Sequence, residues 1–166
     1  MSASLVGSEM CIRDSDKIVS LTKLNGKIYR STQCYIDKRL EEFKLSTGIY
    51  PYLLILNENE GISQNEISRE LSVDKAMSAR TIKKLIELGY IEKRENKEDI
   101  RAYRLFLTDK GREVIPEIIK VIHSWIAILV EGCSEEEMEI GISFLDKVLL
   151  NARKHKGKCR ERIDGI

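Results

Sequence analysis

The sequence predicts a mainly α-helical fold that contains one small β-hairpin. Three observations predict it: a long segment with helical spacing of apolar residues, two short segments with their own helix-capping signals, and two runs of strand composition after them. The chain has 166 residues, of which 42% are hydrophobic, so it can bury one core of ordinary size.

The N-terminal part is predicted to be helical. Apolar side chains recur at helical spacing over residues 16–43, and no proline interrupts them. A second helix is predicted over residues 51–59, because Pro51 suits the first turn of a helix, where its missing N–H needs no partner.

Two short capped helices follow. Ser63 and Glu66 have the spacing of a capping box, which predicts a helix over residues 64–71. The stretch "SVD" at residues 72–74 offers a second cap, and the helix after it runs toward Gly89, a residue type that commonly ends helices. Two short helices separated by about three residues are typical of a helix-turn-helix.

Two runs of strand composition come next, "YIEKRE" and "AYRLFLT". In the second run, Tyr103, Leu105 and Leu107 share one face, whereas Arg104 and Phe106 share the other. The two runs predict a β-hairpin with a charged tip.

The C-terminal part is again predicted to be helical. Residues 108–109 can cap a helix that runs to about Gly132, and Pro116 should kink this helix or mark a late start. A second capping box, at residues 134–137, opens the last helix.

The expected organisation is one domain between two dissimilar ends. The first fifteen residues contain "LVGSEMCIRDS", which looks like a translated sequencing adapter, so we exclude them from the fold argument. Three parts are expected: a non-native leader (1–15), one domain (16–151) and a basic, flexible tail (152–166). Within the domain, the core lies at about 50–110, and flanking helices lie at about 16–45 and 109–151.

Composition excludes several classes of protein. No apolar run approaches the roughly 20 residues of a membrane helix, and no signal peptide is evident, so we expect a cytoplasmic protein. The four cysteines, Cys34 and Cys133 among them, show no metal-ligand spacing, so no metal or cofactor is expected. Residues 63–112 carry 12 basic and 9 acidic side chains, a net charge of +3 that permits a nucleic acid partner.

The second helix of the helix-turn-helix has a face suited to reading DNA. Arg80 can bond guanine in a bidentate manner, and Met77 or Ala76 can contact a thymine methyl group. Any solvent-facing helix side also carries Lys and Arg, so the helix alone leaves both interpretations open. The candidate DNA-binding residues are Lys75, Ala76, Met77, Arg80, Thr81 and Lys84.

The charged hairpin tip favours the DNA-binding interpretation. An arginine such as Arg101 suits a narrow, electronegative minor groove, and Asp99 could hold its guanidinium in place. The alternative is that the tip is charged only because it faces water.

These segments resemble the MarR family of winged helix-turn-helix transcriptional regulators. The resemblance rests on "DKAMSARTIKKL" followed by "GYIEKR", on the Asp-x-Arg wing before "AYRLFLT", and on "TDKG" at the next helix; it covers about residues 16–151. It implies that Arg101 is the wing arginine, Asp99 the wing acid and Arg80 the recognition-helix arginine.

The resemblance also implies a homodimer that reads a palindromic operator in double-stranded DNA, with its terminal helices as dimerisation helices. The strongly apolar segment "VIHSWIAILV" fits a buried two-fold interface. The candidate interface residues are Ile18, Leu21, Trp125, Leu129, Leu145 and Leu149. By the same resemblance, a small aromatic or anionic effector would bind near Tyr29, Tyr35 and His123; the alternative is that the aromatic side chains at these positions belong to the core.

The leading hypothesis is a transcriptional repressor without catalytic activity. Some methyltransferases begin with a winged helix, but only about fifteen residues follow the last helix here and no glycine-rich loop is present, so we expect no enzyme. The alternative is a winged-helix interaction or dimerisation module without specific DNA binding. The operator, the regulated genes, the direction of regulation and any redox role of the cysteines stay open.

Overall fold

The computed structural model describes the backbone of residues 6–95 and 103–163, and the side chains of residues 19–95 and 103–155. It confirms the mainly helical fold with one antiparallel hairpin. In chain order the elements are α1 (Val6–Arg39), a 3-10 turn (Glu41–Phe43), α2 (Tyr50–Glu58), α3 (Gln64–Glu70), α4 (Lys75–Glu87), β1 (Ile91–Glu95), β2 (Tyr103–Leu107), α5 (Asp109–Leu129) and α6 (Glu135–Ile163).

Helix α1 differs from its predicted bounds at both ends. It begins at Val6, ten residues before the predicted start at Asp16, because no proline interrupts the intervening segment and its glycine, Gly7, lies at the very start of the helix. It ends at Arg39, and the chain then passes through the 3-10 turn to Lys44, whose φ of 56° is left-handed. That the leader is non-native stays a prediction.

The helix-turn-helix begins at two caps that the sequence predicted. The Glu66 N–H donates to Ser63 Oγ at 3.3 Å, and the Ser63 N–H donates to Glu66 Oε2 at 2.8 Å, so the capping box is confirmed. Asp74 Oδ1 accepts bonds from the backbone N–H groups of Ala76 and Met77, at 2.8 and 3.3 Å. Gly89, just after α4, has a φ of +78°, a conformation that favours glycine.

Strands β1 and β2 pair in a register that runs from Ile91 opposite Leu107 to Glu95 opposite Tyr103. The predicted division of faces is confirmed, and Leu105 and Leu107 are buried in the core. Tyr103 shares their face but is 52% exposed, because it lies at the far end of the hairpin.

Helix α5 starts at a threonine cap, and Pro116 lies inside the helix without interrupting it. Thr108 Oγ1 accepts the Gly111 N–H at 3.0 Å. The predicted late start at Pro116 is wrong, because the helix already runs from Asp109. Buried side chains on either side of the proline, such as Ile115 and Ile118, hold the helix against the core despite the lost hydrogen bond.

Helix α6 begins at the second predicted capping box. The Ser134 N–H donates to Glu137 Oε2 at 2.8 Å, and the Glu137 N–H donates to Ser134 Oγ at 3.2 Å. The predicted end near Asn151 is wrong: α6 continues to Ile163, so the segment predicted as a flexible tail is helical up to that residue. The tail is rich in Lys and Arg, which are good helix formers.

The chain divides into two units between Trp125 and Ile126. The first unit contains the core, built from α1 to α5 and the hairpin. The second unit contains large apolar side chains that are exposed in the single chain, namely Ile126, Ile128, Leu129, Ile140, Ile142, Phe144, Leu145, Leu149 and Leu150. None of the helices in the described part of the chain has both the length and the apolar character needed to cross a bilayer.

Candidate nucleic-acid interface

Helix α4 is anchored by one face and presents the other to solvent. Ser78, Ile82 and Leu85 are buried on its inner face. On the outer face the predicted residues Lys75, Ala76, Met77, Arg80 and Lys84 are all exposed, and Thr81 is half-buried. The structure therefore brings the predicted recognition residues together on one surface.

The outer face of α4 carries three exposed cations. Among the described side chains, no ion pair involves Lys75, Arg80 or Lys84. Lys83, on the flank, lies 3.8 Å from Glu87 Oε1. Because no described carboxylate offsets the charge of these cations, this surface can bind an anion such as a DNA phosphate.

The smaller side chains on this face complete a surface for base contacts. Met77 is 46% exposed, so its side chain is available for apolar contact, for example with a thymine methyl group. The Thr81 hydroxyl donates to the Met77 carbonyl at 3.1 Å, so its oxygen remains available only as an acceptor.

The turn between α3 and α4 sets the direction in which α4 begins. Ser72 has a φ of 54°, a left-handed conformation, and it reverses the chain direction. The Val73 N–H donates to the Ser68 carbonyl at 3.0 Å, which ties the turn back to α3. The start of α4 is thus held both by this turn and by the Asp74 cap.

Two arginines brace the hairpin, and sequence analysis gave neither of them a DNA-binding or bracing role. Arg94 donates from Nε to Glu92 Oε1 at 2.8 Å, and its guanidinium carbon lies 4.3 Å from the centroid of the Phe106 ring. Arg104, opposite Arg94 in the register, donates from Nη1 to the Gly61 carbonyl at 2.9 Å. Arg94 lies diagonally across the strand pair from the aromatic residue Phe106, and this pairing was the sequence signal that could have identified its role.

Arg104 also links the hairpin electrostatically to the start of α3. Its Nη1 lies 3.9 Å from Glu66 Oε2. The Ser63 hydroxyl, then the Ser63 N–H and more weakly the nearby Arg104 lower the pKa of Glu66 from its ordinary value. The capping carboxylate therefore stays charged in mildly acidic solution.

The predicted wing residues Asp99 and Arg101 lie outside the described residues. The described register ends at the pair Glu95 and Tyr103, which are joined in sequence by the segment that contains both residues. Their roles stay predictions.

The predicted interface residues fall into two groups. Leu129, Leu145 and Leu149 are exposed in the single chain, at 43, 54 and 48%. Leu21 is half-buried, and the side chain of Ile18 lies outside the described side chains.

Trp125 and Tyr35 were assigned to different sites, but the structure pairs them. Their rings stack with centroids 4.6 Å apart, and Trp125 donates from Nε1 to Thr32 Oγ1 at 2.9 Å. Of the other predicted effector residues, Tyr29 is 54% exposed and His123 is exposed. Tyr29 and Tyr35 lie six positions apart on α1 and so do not share a helix face.

The described residues offer no site for metal chemistry. No group of three or more His, Cys, Asp or Glu side chains in the described part of the chain could hold a metal ion. Cys34 and Cys133 are exposed free thiols.

The chain is similar to a known family, to a curated relative and to two solved structures. The model of a family described as the MarR family matches residues 45–103. The HTH-type transcriptional regulator BilQ of Clostridioides difficile (strain CD3) is 41% identical to this chain over 106 residues, which are 64% of this chain and 72% of that protein.

Two solved structures are similar in fold and sequence. A MarR transcriptional regulator from Methanosarcina mazei Go1 superimposes with a TM-score of 0.73 at 34% identity, covering 81% of this chain and 96% of that one. A MarR family transcriptional regulator from Listeria monocytogenes, complexed with 26mer DNA, gives a TM-score of 0.72 at 29% identity, covering 78% of this chain and 87% of that one.

Proposed function

The chain belongs to the MarR family of transcriptional regulators, and from that premise we propose that it is a repressor that binds a palindromic operator as a homodimer. It is a DNA-binding regulator of that family and not an enzyme. We propose four further properties: it represses transcription, its operator is palindromic, it binds as a dimer, and an effector releases it from DNA.

The observation that carries the proposal is the outer face of α4. Arg80 and Lys84 are exposed and, among the described side chains, have no acidic partner, while the opposite side of the helix is anchored by Ile82 and Leu85. A helix held rigidly by one face can enter the major groove with the other. The Listeria relative complexed with DNA has the same fold.

In this proposal affinity and preference come from different residues. Lys75 and Lys84 neutralise phosphates, which supplies most of the affinity and makes it salt-dependent. Arg80 bonds guanine in the major groove, with Met77 beside it for a thymine methyl. Arg101 on the wing enters the minor groove, and Asp99 holds it.

The dimer is supported by the exposed apolar surface of the second unit. Ile142, Leu145 and Leu149 recur at helical spacing on α6, and each is about half exposed or more, at 63, 54 and 48%. A monomer rarely leaves so many large apolar side chains in water. A two-fold dimer would cover them, and its symmetry would match a palindromic operator.

The proposal extends to a small aromatic or anionic effector that releases the DNA. Tyr29 and His123 are exposed on α1 and α5, and Tyr35 is half-buried against Trp125. An aromatic ligand would have to stack on or displace part of this arrangement.

The test begins with selection of binding duplexes from random double-stranded DNA, followed by fluorescence anisotropy on the selected and a scrambled duplex across salt concentrations. We expect a palindromic selected sequence, tighter binding to it than to the scrambled duplex, and a steep salt dependence that becomes shallower in Arg101→Ala. Equal and weak binding to both duplexes would instead support an interaction module without specific DNA binding. A reporter gene downstream of the selected site then distinguishes repression from activation.

A further inference from the structure

The end of the recognition helix α4 is held by contacts around one buried tyrosine. Tyr90, which is 3% exposed, donates from its hydroxyl to the carbonyl of Phe43 at 2.9 Å, a partner 47 positions earlier in the chain. Phe43 lies in the 3-10 turn that follows α1. The hydroxyl therefore ties the end of α4 to the end of α1.

The backbone around Tyr90 is also tied to the start of α5. The Tyr90 carbonyl accepts the Thr108 N–H at 3.0 Å, and the Thr108 hydroxyl lies 2.7 Å from the Gly89 carbonyl and 3.1 Å from the Tyr90 carbonyl. A Cβ atom on Gly111 would lie only 2.2 Å from the Tyr90 carbonyl oxygen. The first turn of α5 is thus pressed directly against the end of α4.

Lys110 contacts the same region from its solvent-exposed side. Its Nζ donates to the Leu88 carbonyl at 2.7 Å and lies 4.6 Å from the centroid of the Tyr90 ring. The Leu88 carbonyl is one of the unpaired carbonyls at the helix end, where a cation is favourable. We call Tyr90, Thr108, Lys110 and Gly111 the α4–α5 junction.

We propose that Tyr90 and Lys110 are positioning residues that set which separation of operator half-sites the protein accepts. The inference rests on the proposed function, since it needs a dimer that presents two α4 helices to one duplex. Half-sites lie about one turn, roughly 34 Å, apart. Helix α4 has 13 residues and is about 20 Å long, so a small rotation about its anchored end shifts its tip by a large part of the roughly 3.4 Å between base pairs. A rigid junction therefore resists a changed spacing.

In this inference both residues act through the position of α4 and not by touching DNA. Tyr90 is buried, and the ammonium of the exposed Lys110 is held at the end of α4 by the Leu88 carbonyl and the Tyr90 ring. Their loss should consequently leave the number of neutralised phosphates unchanged. The slope of affinity against salt is the readout that separates positioning from direct contact.

The test uses the full chain and the double variant Tyr90→Phe/Lys110→Met, which keeps the ring and the aliphatic stem but removes both hydrogen bonds. Lys83→Met is the matched control, because it removes an exposed cation of α4 outside the junction. Anisotropy is measured on the selected palindrome, on versions with one base pair added or removed between the half-sites, and on a single half-site.

We expect the wild type and Lys83→Met to prefer one spacing. In the double variant that preference should fall at least about fivefold, the ratio that corresponds to the loss of about 1 kcal/mol, the net contribution of a single hydrogen bond. Its affinity for a single half-site and its salt slope should match those of the wild type. An unchanged spacing preference in the double variant, or a shallower salt slope, would overturn the inference.

Amide hydrogen exchange at residues 88–90 supplies a readout that does not depend on DNA. We expect faster exchange there in the double variant than in the wild type or Lys83→Met, because the helix end opens locally. Unchanged exchange would overturn the inference. A wild type without any spacing preference would instead contradict the proposed palindrome, and exchange would still decide whether the junction fixes α4.

Discussion

The indole of Trp125 stacks on the phenol ring of Tyr35 with centroids 4.6 Å apart and planes inclined by 28°. The Arg39 guanidinium carbon lies 3.9 Å from the centroid of the same Tyr35 ring, and the Trp125 indole N–H donates to Thr32. Helices α1 and α5 are therefore joined within one chain by an aromatic pair and a side-chain hydrogen bond. The pair contributes stability whether or not it also borders a dimer interface.

Shortening Trp125 should separate these two contributions. Trp125→Phe keeps a ring for stacking but loses the bond to Thr32, and we expect it to lower the free energy of unfolding by about 1 kcal/mol. Trp125→Ala also loses the stack and should cost about 3 kcal/mol. Urea unfolding at one fixed protomer concentration measures both, because a dimer's stability depends on concentration. Thr32→Val should add little on top of Trp125→Phe, and full additivity would contradict the hydrogen bond.

Gly111→Ala should destabilise the protein by about 1–3 kcal/mol or more, because the added methyl group meets the backbone oxygen of Tyr90 at 2.2 Å. The backbone cannot move aside as a flexible side chain would. Thermal or urea unfolding measures the change. Gly48→Ala is the matched control: nothing lies within 4 Å of its Cβ position, so its effect should be neutral or slightly stabilising. Equal stability of the two variants would show that the close approach at Gly111 is relieved at little cost.

Arg80→Ala and Lys83→Ala should affect DNA binding differently although both remove a cation from α4. Arg80 lacks an acidic partner among the described side chains and lies on the outer face, whereas Lys83 flanks that face near Glu87. Arg80→Ala should cost about 1–3 kcal/mol of binding and relax preference at one position per half-site. Lys83→Ala should weaken binding slightly. Anisotropy on single-base variants of the operator measures this, and a uniform loss across all sequences in Arg80→Ala would rule out base reading.

Capping signals predicted the starts of α3, α4 and α6, but no local signal predicts contacts between residues far apart in the chain. The capping boxes at Ser63 and Ser134 need only residues three positions apart, so the sequence contains them completely. The bond from Tyr90 to the Phe43 carbonyl joins residues 47 positions apart, and no periodicity reports such a pairing. The solvent-facing side of α4 was predictable, because alternation of buried and exposed positions along a helix is a local property.

Errors in the predicted bounds have a common cause. Composition changes at Asn151 and at Asp16, yet neither segment contains a strong helix breaker at that point, so α6 and α1 continue past them. Tyr103 lies on the apolar face of β2 as predicted, but its exposure depends on how far the core reaches along the hairpin.

Leu145→Glu should weaken dimer formation strongly. Leu145 is 54% exposed in the single chain and shares a stripe of α6 with Ile142 and Leu149. A charge buried in that stripe should raise the dimer Kd at least about 30-fold, the size of an interface hot spot. Sedimentation equilibrium measures this. Lys147→Glu, on another side of the same helix, is the control and should leave the Kd within about threefold. If Leu145→Glu leaves the dimer Kd unchanged, Leu145 does not lie in the dimer interface.

The capping carboxylate of Glu66 should make stability depend on pH in the acid range. Its pKa is lowered in the folded protein, chiefly by Ser63, so the charged form stabilises the fold above the unfolded value of about 4.3, and that contribution is lost as the pH falls through the lowered folded pKa. Glu66→Gln should therefore be less stable than the wild type at pH 6, and the difference should shrink steadily below about pH 4.5. Urea unfolding at pH 6, 4.5, 3.5 and 3 measures the profile. Glu70→Gln, an exposed position on the same helix, is the control, and its profile should run parallel to that of the wild type. If the Glu66→Gln profile is parallel too, the capping contact does not persist in solution.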